Sequence, residues 1–95
     1  MSAYVVFTRT RTKNQSELGI YDQIAGGTFA GREVQVLAAY GPQEVLEGAN
    51  TEGTVILSFP DRTAARGWYD SPAYQNARKH RIAGADYQVT LVDGI

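Results

Sequence analysis

The sequence of 95 residues predicts an α+β fold of the ferredoxin-like kind, βαββαβ with one antiparallel sheet. Three observations carry that expectation. Three runs alternate in steps of two, a fourth, Thr54 to Phe59, is a short dense apolar run, and two further regions place apolar residues at helical spacing. The order of these runs is β, α, β, β, α, β, which puts both helical regions on the same face of the sheet. The length suits one domain over residues 1–95 with a single core.

Tyr4 to Thr12 reads as the first strand, with Val5, Phe7, Arg9 and Arg11 on one side and Tyr4, Val6, Thr8 and Thr10 on the other. Lys13 to Ser16 is a polar turn in which Asn14 or Ser16 can cap the first helix. Leu18, Tyr21, Ala25, Thr28 and Phe29 then fall in one stripe of a helix of roughly four turns. Gly26 and Gly27 inside it cost about 1 kcal/mol each relative to Ala and mark either close packing or an early end. Gly31 ends the helix, and Glu33 to Tyr40 alternates as a second strand, with Val34, Val36, Ala38 and Tyr40 set against Gln35, Leu37 and Ala39. Gly41-Pro42 interrupts it, Gln43 to Glu47 resumes an extended pattern, and Gly48-Ala49-Asn50 turns the chain.

Thr54 to Phe59 is the most strand-like run and belongs in the middle of the sheet. Pro60 breaks it and Asp61 caps a helix starting at Arg62, with Ala64 and Trp68 on one face. Ser71-Pro72 repeats the start signal, cap followed by proline at the first helical position, so the helix bends or restarts there. The second segment runs to about Ala83, with Gly84 as a left-handed stop. Tyr74, Ala77, Arg78 and Arg81 share one stripe of it, and a Tyr beside two Arg is an unusual inward face. Tyr87 to Val92 alternates as the last strand.

Composition excludes several function classes. The formal net charge is −1 and the cations are dispersed, so no basic footprint for nucleic acid exists. There are no cysteines, which removes disulfides, thiolate catalysis and Cys-based metal sites. No run approaches membrane-spanning length and the amino terminus has no secretory signature, so no membrane partner is expected and the cytoplasm is the default location. Glu33, Glu44, Glu47 and Asp93 are scattered and His80 stands alone, so no metal is expected. The Gly26 to Gly31 run lacks dinucleotide-binding spacing and no Ser sits in a nucleophile elbow, so no cofactor is expected either.

With helices on one face, the other face of the sheet exposes apolar and aromatic side chains, and that predicts a homodimer in which two sheets face each other. Arg9 and Arg11 share the side of Val5 and Phe7. If that side looks into the dimer they meet partner carboxylates, and otherwise they are solvated or paired at the rim.

The candidate site residues follow from chemistry. Arg78 and Arg81 offer bidentate donors to a carboxylate or phosphate, and Tyr74 can orient the bound group. Tyr4, Tyr21, Tyr40, Trp68 and Tyr69 can wall an aromatic pocket between helices and sheet, or simply form the core. His80, the single imidazole, and Tyr74 are the candidates for moving a proton; the alternative for His80 is a surface or packing role.

Leu46-Glu47-Gly48, Val55 to Pro60, the run Trp68-Tyr69-Asp70-Ser71-Pro72-Ala73-Tyr74-Gln75, Arg81 and the closing Val92-Asp93-Gly94 resemble the domain-of-unknown-function 1330 family. Tyr4 and Tyr21 also stand where that family tends to carry tyrosines, while Arg32 to Tyr40 departs from its pattern. The resemblance implies a dimeric α/β barrel and no established reaction. The wider superfamily includes cofactor-free oxygenases and isomerases. Two readings therefore stand: a homodimer binding a small anionic or aromatic metabolite, as a cofactor-free enzyme or otherwise, and a non-catalytic dimeric binding or assembly module.

Overall fold

In the computed structural model, which describes residues 1–95, the chain runs β1 (Ala3–Thr12), α1 (Gln15–Ala25), β2 (Gln35–Ala39), β3 (Gly53–Phe59), α2 (Arg62–Tyr69), α3 (Pro72–Gly84) and β4 (Ala85–Asp93). The four strands form one antiparallel sheet in the order β2-β3-β1-β4, so the expected ferredoxin-like βαββαβ arrangement is what the chain adopts. The helix starts are capped as their sequences require. Asn14, Asp61 and Ser71 accept from the backbone N–H of Glu17, Ala64 and Tyr74. Each cap satisfies a donor that the helix itself leaves open, and is worth about 1 kcal/mol.

The core lies between the sheet and the helices. Val5 and Phe7 of β1 and Leu57 and Phe59 of β3 face Tyr21, Ala65, Trp68, Tyr74 and Ala77, all buried. Trp68 organises it: its ring lies 4.2 Å from Tyr74, 5.4 Å from Phe29 and 5.5 Å from Phe59 between centroids, and its indole N–H donates to Thr28 at 2.9 Å. The opposite face of the sheet carries Tyr4, Val6 and Ile56, none of them covered by a helix and all half-buried. No helix is long and apolar enough to cross a membrane.

Several local expectations need correction. The first helix ends early: α1 stops at Ala25 and Gly26–Phe29 form a 3-10 turn, since two adjacent glycines weaken the α-helix where they sit. Gly84 is not a left-handed stop; positive φ occurs at Gly31, Gly48 and Tyr40. It is a site of close approach, because a Cβ there would lie 2.8 Å from Leu18 Cγ and 2.9 Å from the Leu18 nitrogen. Its carbonyl accepts from the N–H groups of Lys13 (2.7 Å) and Asn14 (2.9 Å), which fastens the end of α3 to the start of α1.

The second strand is shorter than Glu33 to Tyr40, and the Gln43 to Glu47 segment joins no sheet. A register shift between Val36 and Ala38 breaks the alternation, so Val36 and Ala39 pair with the inward-facing Leu57 and Val55. Val5 and Phe7 face the helices, so the side shared by Arg9 is not the open face. Arg9 pairs with Glu52 of its own chain at 3.3 Å, and Arg11, beyond a β-bulge, with Asp86 at 3.4 Å.

Candidate functional site

The inward stripe of α3 delivers Tyr74, Ala77 and Arg81 to the core, as the helical period requires, and leaves Arg78 at its edge. Arg81 is 4% exposed. Its Nε donates to the Tyr74 hydroxyl at 3.2 Å, and its guanidinium carbon lies 5.0 Å from the Tyr87 ring centroid and 5.6 Å from that of Phe7. No carboxylate lies within ion-pair distance of it, although Arg9, Arg11, Lys13, Arg62 and Arg66 all have such a partner. A guanidinium taken out of water without a counter-ion costs several kcal/mol. Here only one neutral hydroxyl and two ring faces offset that cost.

Arg78 is likewise free of carboxylates. Its Nε donates to the Tyr69 hydroxyl at 2.9 Å, and its guanidinium carbon lies 5.9 Å from that ring. Arg78 and Arg81 line the same cavity, about 350 Å³, between α3 and the first half of β4. Tyr69 and Tyr87 are its aromatic walls, and Lys13 with Asp86, 3.3 Å apart, stand at its polar end. Three cations and one carboxylate leave the cavity net positive, and both arginines retain unused donors, which suits a small anion.

A second cavity of about 180 Å³ lies on the other side of Phe7, beneath α1 and the 3-10 turn. It is walled by Phe7, Phe29, Val55, Leu57 and Trp68, with Tyr21, Tyr40 and Asp22 also among its lining residues. Tyr21 and Tyr74 share a hydrogen bond between hydroxyls at 3.0 Å, so a polar chain Tyr21–Tyr74–Arg81 runs from one cavity to the other. Tyr40, at φ 57°, reaches over Gly53 to share a hydrogen bond with the Tyr87 hydroxyl at 2.5 Å. A side chain on Gly53 would occupy the Tyr40 ring position, since a Cβ there meets Tyr40 Cδ1 at 2.5 Å.

Burial is the main reason the phenols of Tyr21, Tyr40 and Tyr74 ionise well above the ordinary range or are pushed up from it; Arg81 pulls Tyr74 partly back. All three are therefore neutral hydrogen-bonding groups at neutral pH, and none is a resting base.

The residues singled out by sequence separate in space. Arg78, Arg81 and Tyr69 converge on the cationic cavity, and Tyr74 stands behind Arg81, fully buried, holding it. Tyr21 and Trp68 line the apolar cavity instead. Tyr4 joins neither: it lies on the open face, against Gly94. His80 sits about 240° round α3 from Tyr74, with its Nδ1 2.6 Å from Glu17 of α1, and lines neither cavity. Tyr87 and Lys13 are among the wall residues that sequence reasoning missed, with Asp86 and Val89. Tyr87 had a signal, being the first inward position of the last strand's alternation; Lys13 in a polar turn had none.

The fold is shared with solved structures. A protein of unknown function from Rhodopseudomonas palustris is 18% identical with a TM-score of 0.75, over 99% of this chain and 82% of that one. A dimeric ferredoxin-like protein of unknown function from Thermobifida fusca is 12% identical with a TM-score of 0.67, over 99% and 92%. SnoaB, a cofactor-independent oxygenase from Streptomyces nogalater, is 12% identical with a TM-score of 0.62, over 99% and 93%. At such identities the likeness is one of fold. No curated protein matches the chain. The family profile described as a domain of unknown function, DUF1330, matches residues 2–95, and the chain belongs to that family.

Proposed function

We propose that this protein is a homodimer that binds a small organic acid in the cavity between α3 and β4, with Arg78 and Arg81 as the anion-binding residues. The observation that carries the reading is the Arg81 guanidinium, 4% exposed and without a carboxylate partner, beside a second unpaired arginine on the same cavity. A structural arginine at that depth normally has its counter-ion in the protein. Here the counter-ion is the ligand. Tyr74 and Tyr69 act as positioning residues, each fixing one guanidinium through its hydroxyl. The dimer is supported by the uncovered sheet face with Val6 and Ile56 and by the dimeric ferredoxin-like fold neighbours.

The test is a titration of the purified protein with acetate, followed by amide chemical shifts, for wild type, Arg78→Gln and Arg81→Gln. Each lost charge-assisted contact is worth about 1.5–3 kcal/mol, so each variant binds roughly 10- to 100-fold more weakly. Absence of binding to wild type, or equal binding to all three, overturns the reading.

A cofactor-free oxygenase is the second reading. What favours it is the hydroxyl chain from the apolar cavity through Tyr21 and Tyr74 to Arg81, together with the fold shared with SnoaB. Oxygen consumption in the presence of aromatic acids tests it, and a Tyr21→Phe variant that consumes oxygen like wild type removes the hydroxyl chain from that account.

A further inference from the structure

The cationic cavity has an apolar neighbour. A third cavity of about 220 Å³ lies between α2 and the second half of β4, walled by Val5, Ala65, Tyr69, Val89 and Leu91. Tyr69 and Val89 line both it and the arginine cavity, so the two are neighbours along β4. The reason is the geometry of β4. It is an edge strand, paired with β1 alone, and Tyr87, Val89 and Leu91 are successive inward positions on it. These three are half-buried, because α2 and α3 meet over them at the Asp70–Ser71 break and leave a seam along the strand. The seam is cationic at Tyr87, where Arg81 and Arg78 stand, and apolar at Leu91. Its single charged wall at the apolar end, Arg66, is turned to Asp70 at 2.9 Å and is exposed.

We infer that the ligand of this protein is an amphipathic monocarboxylic acid, its carboxylate on Arg78 and Arg81 and its apolar body running along Val89 and Leu91 under Tyr69. The inference rests on the acid-binding reading above and adds the class of acid. Charge and apolarity are segregated along the groove, which disfavours dicarboxylates, because the one cation at the apolar end, Arg66, is already paired with Asp70 and the other walls there offer a second charge nothing. It also disfavours sugar acids, whose hydroxyls would find no donors or acceptors there. From Tyr87 to Leu91 the strand rises about 13 Å, room for an extended acyl chain of about eight carbons.

The experiment is a chemical-shift titration of the full chain with acetate, butanoate, octanoate, butanedioate and octan-1-ol. A fully buried methylene is worth about fourfold in affinity. In this half-open groove octanoate is expected to bind at least roughly tenfold more tightly than butanoate, to move the methyl resonances of Val89 and Leu91, and to outcompete both butanedioate and the alcohol. Leu91→Phe, which narrows the apolar end, is expected to remove the gain with chain length and leave acetate binding as it is. Ala39→Phe, in the separate cavity beneath α1, is expected to leave the gain intact. If acetate and octanoate bind equally, or if Ala39→Phe rather than Leu91→Phe removes the gain, the groove is not the ligand's seat while the arginine site stands. If no carboxylate binds at all, the acid-binding reading itself falls.

Discussion

Arg81→Met separates a ligand-binding arginine from a structural one, and the structure sets the size of the effect. Methionine keeps most of the side-chain length and adapts to irregular space. The substitution removes one charged hydrogen bond to Tyr74, worth about 1.5–3 kcal/mol, whose hydroxyl keeps its bond to Tyr21. It also removes contacts with the faces of Phe7 and Tyr87, worth about 2 kcal/mol each for a desolvated cation. Against this stands the desolvation of a guanidinium that is 4% exposed and has no carboxylate, which is several kcal/mol. The terms nearly cancel, so the net change in stability is expected to lie within about 2 kcal/mol of zero. Breaking a buried ion pair would instead cost about 3–5 kcal/mol. The assay is urea unfolding of both proteins at neutral pH without added acids, paired with an acetate titration. The expected result is near-native stability, an unchanged oligomeric state and acid binding weakened roughly 10- to 100-fold. A loss of about 3–5 kcal/mol, or dissociation of the protein into monomers, would refute the reasoning, because it would mean that Arg81 meets a carboxylate of a second copy.

Three further outcomes are expected. Tyr21, Tyr40 and Tyr74 ionise above the ordinary phenol value of 10.0, so the folded state holds protons that the unfolded state releases. Their contribution to stability is complete below pH 10 and is lost as the pH rises through the folded-state values. Unfolding free energy should be flat in these groups from neutrality to about pH 9 and then fall by up to about 1.4 kcal/mol per pH unit for each phenol; phenolate absorbance that appears gradually before unfolding would contradict this. Gly84→Ala drives a methyl into Leu18 at 2.8 Å and into a backbone nitrogen that cannot retreat; a loss of about 1–3 kcal/mol is expected in urea unfolding, and native-like stability would show that α1 and α3 separate easily. Ile56→Lys puts a charge in the middle of the uncovered sheet face, next to Val6; it should turn the proposed dimer into a monomer by analytical ultracentrifugation, and an unchanged sedimentation coefficient would place the interface elsewhere.

Much of the architecture was legible because its determinants are local. A carboxylate, hydroxyl or amide oxygen one residue before a helical stripe caps that helix whatever lies around it, which is why Asp61 and Ser71 mark their helices and why Asn14, one of two candidates with Ser16, caps the first. The apolar density of Thr54 to Phe59 puts β3 inside the sheet, where it is paired on both sides. Less was legible where one residue's fate depends on another element. Gly84 looks like a terminator in one dimension and is an approach point for Leu18 in three. The bulge at Val36 to Ala38 reverses which side chains of β2 face inward, and only pairing with β3 produces it.

The sequence by itself determined the element order, the family, and the stripe that carries Tyr74, Ala77, Arg78 and Arg81, because helical period and capping act over a few residues. Only the tertiary structure decided what that stripe meets. The register of β4 on β1 brings Tyr87 under Arg81, and the turn after β1 brings Lys13 alongside. Tyr4 went to the far side of the sheet because a strand sends alternate residues to opposite faces and the helices cover the face of Val5 and Phe7. His80 went to Glu17 because it lies on the side of α3 that packs on α1. Which arginines lack a carboxylate is likewise a property of distances between elements far apart in the chain, and local spacing carries no information about it.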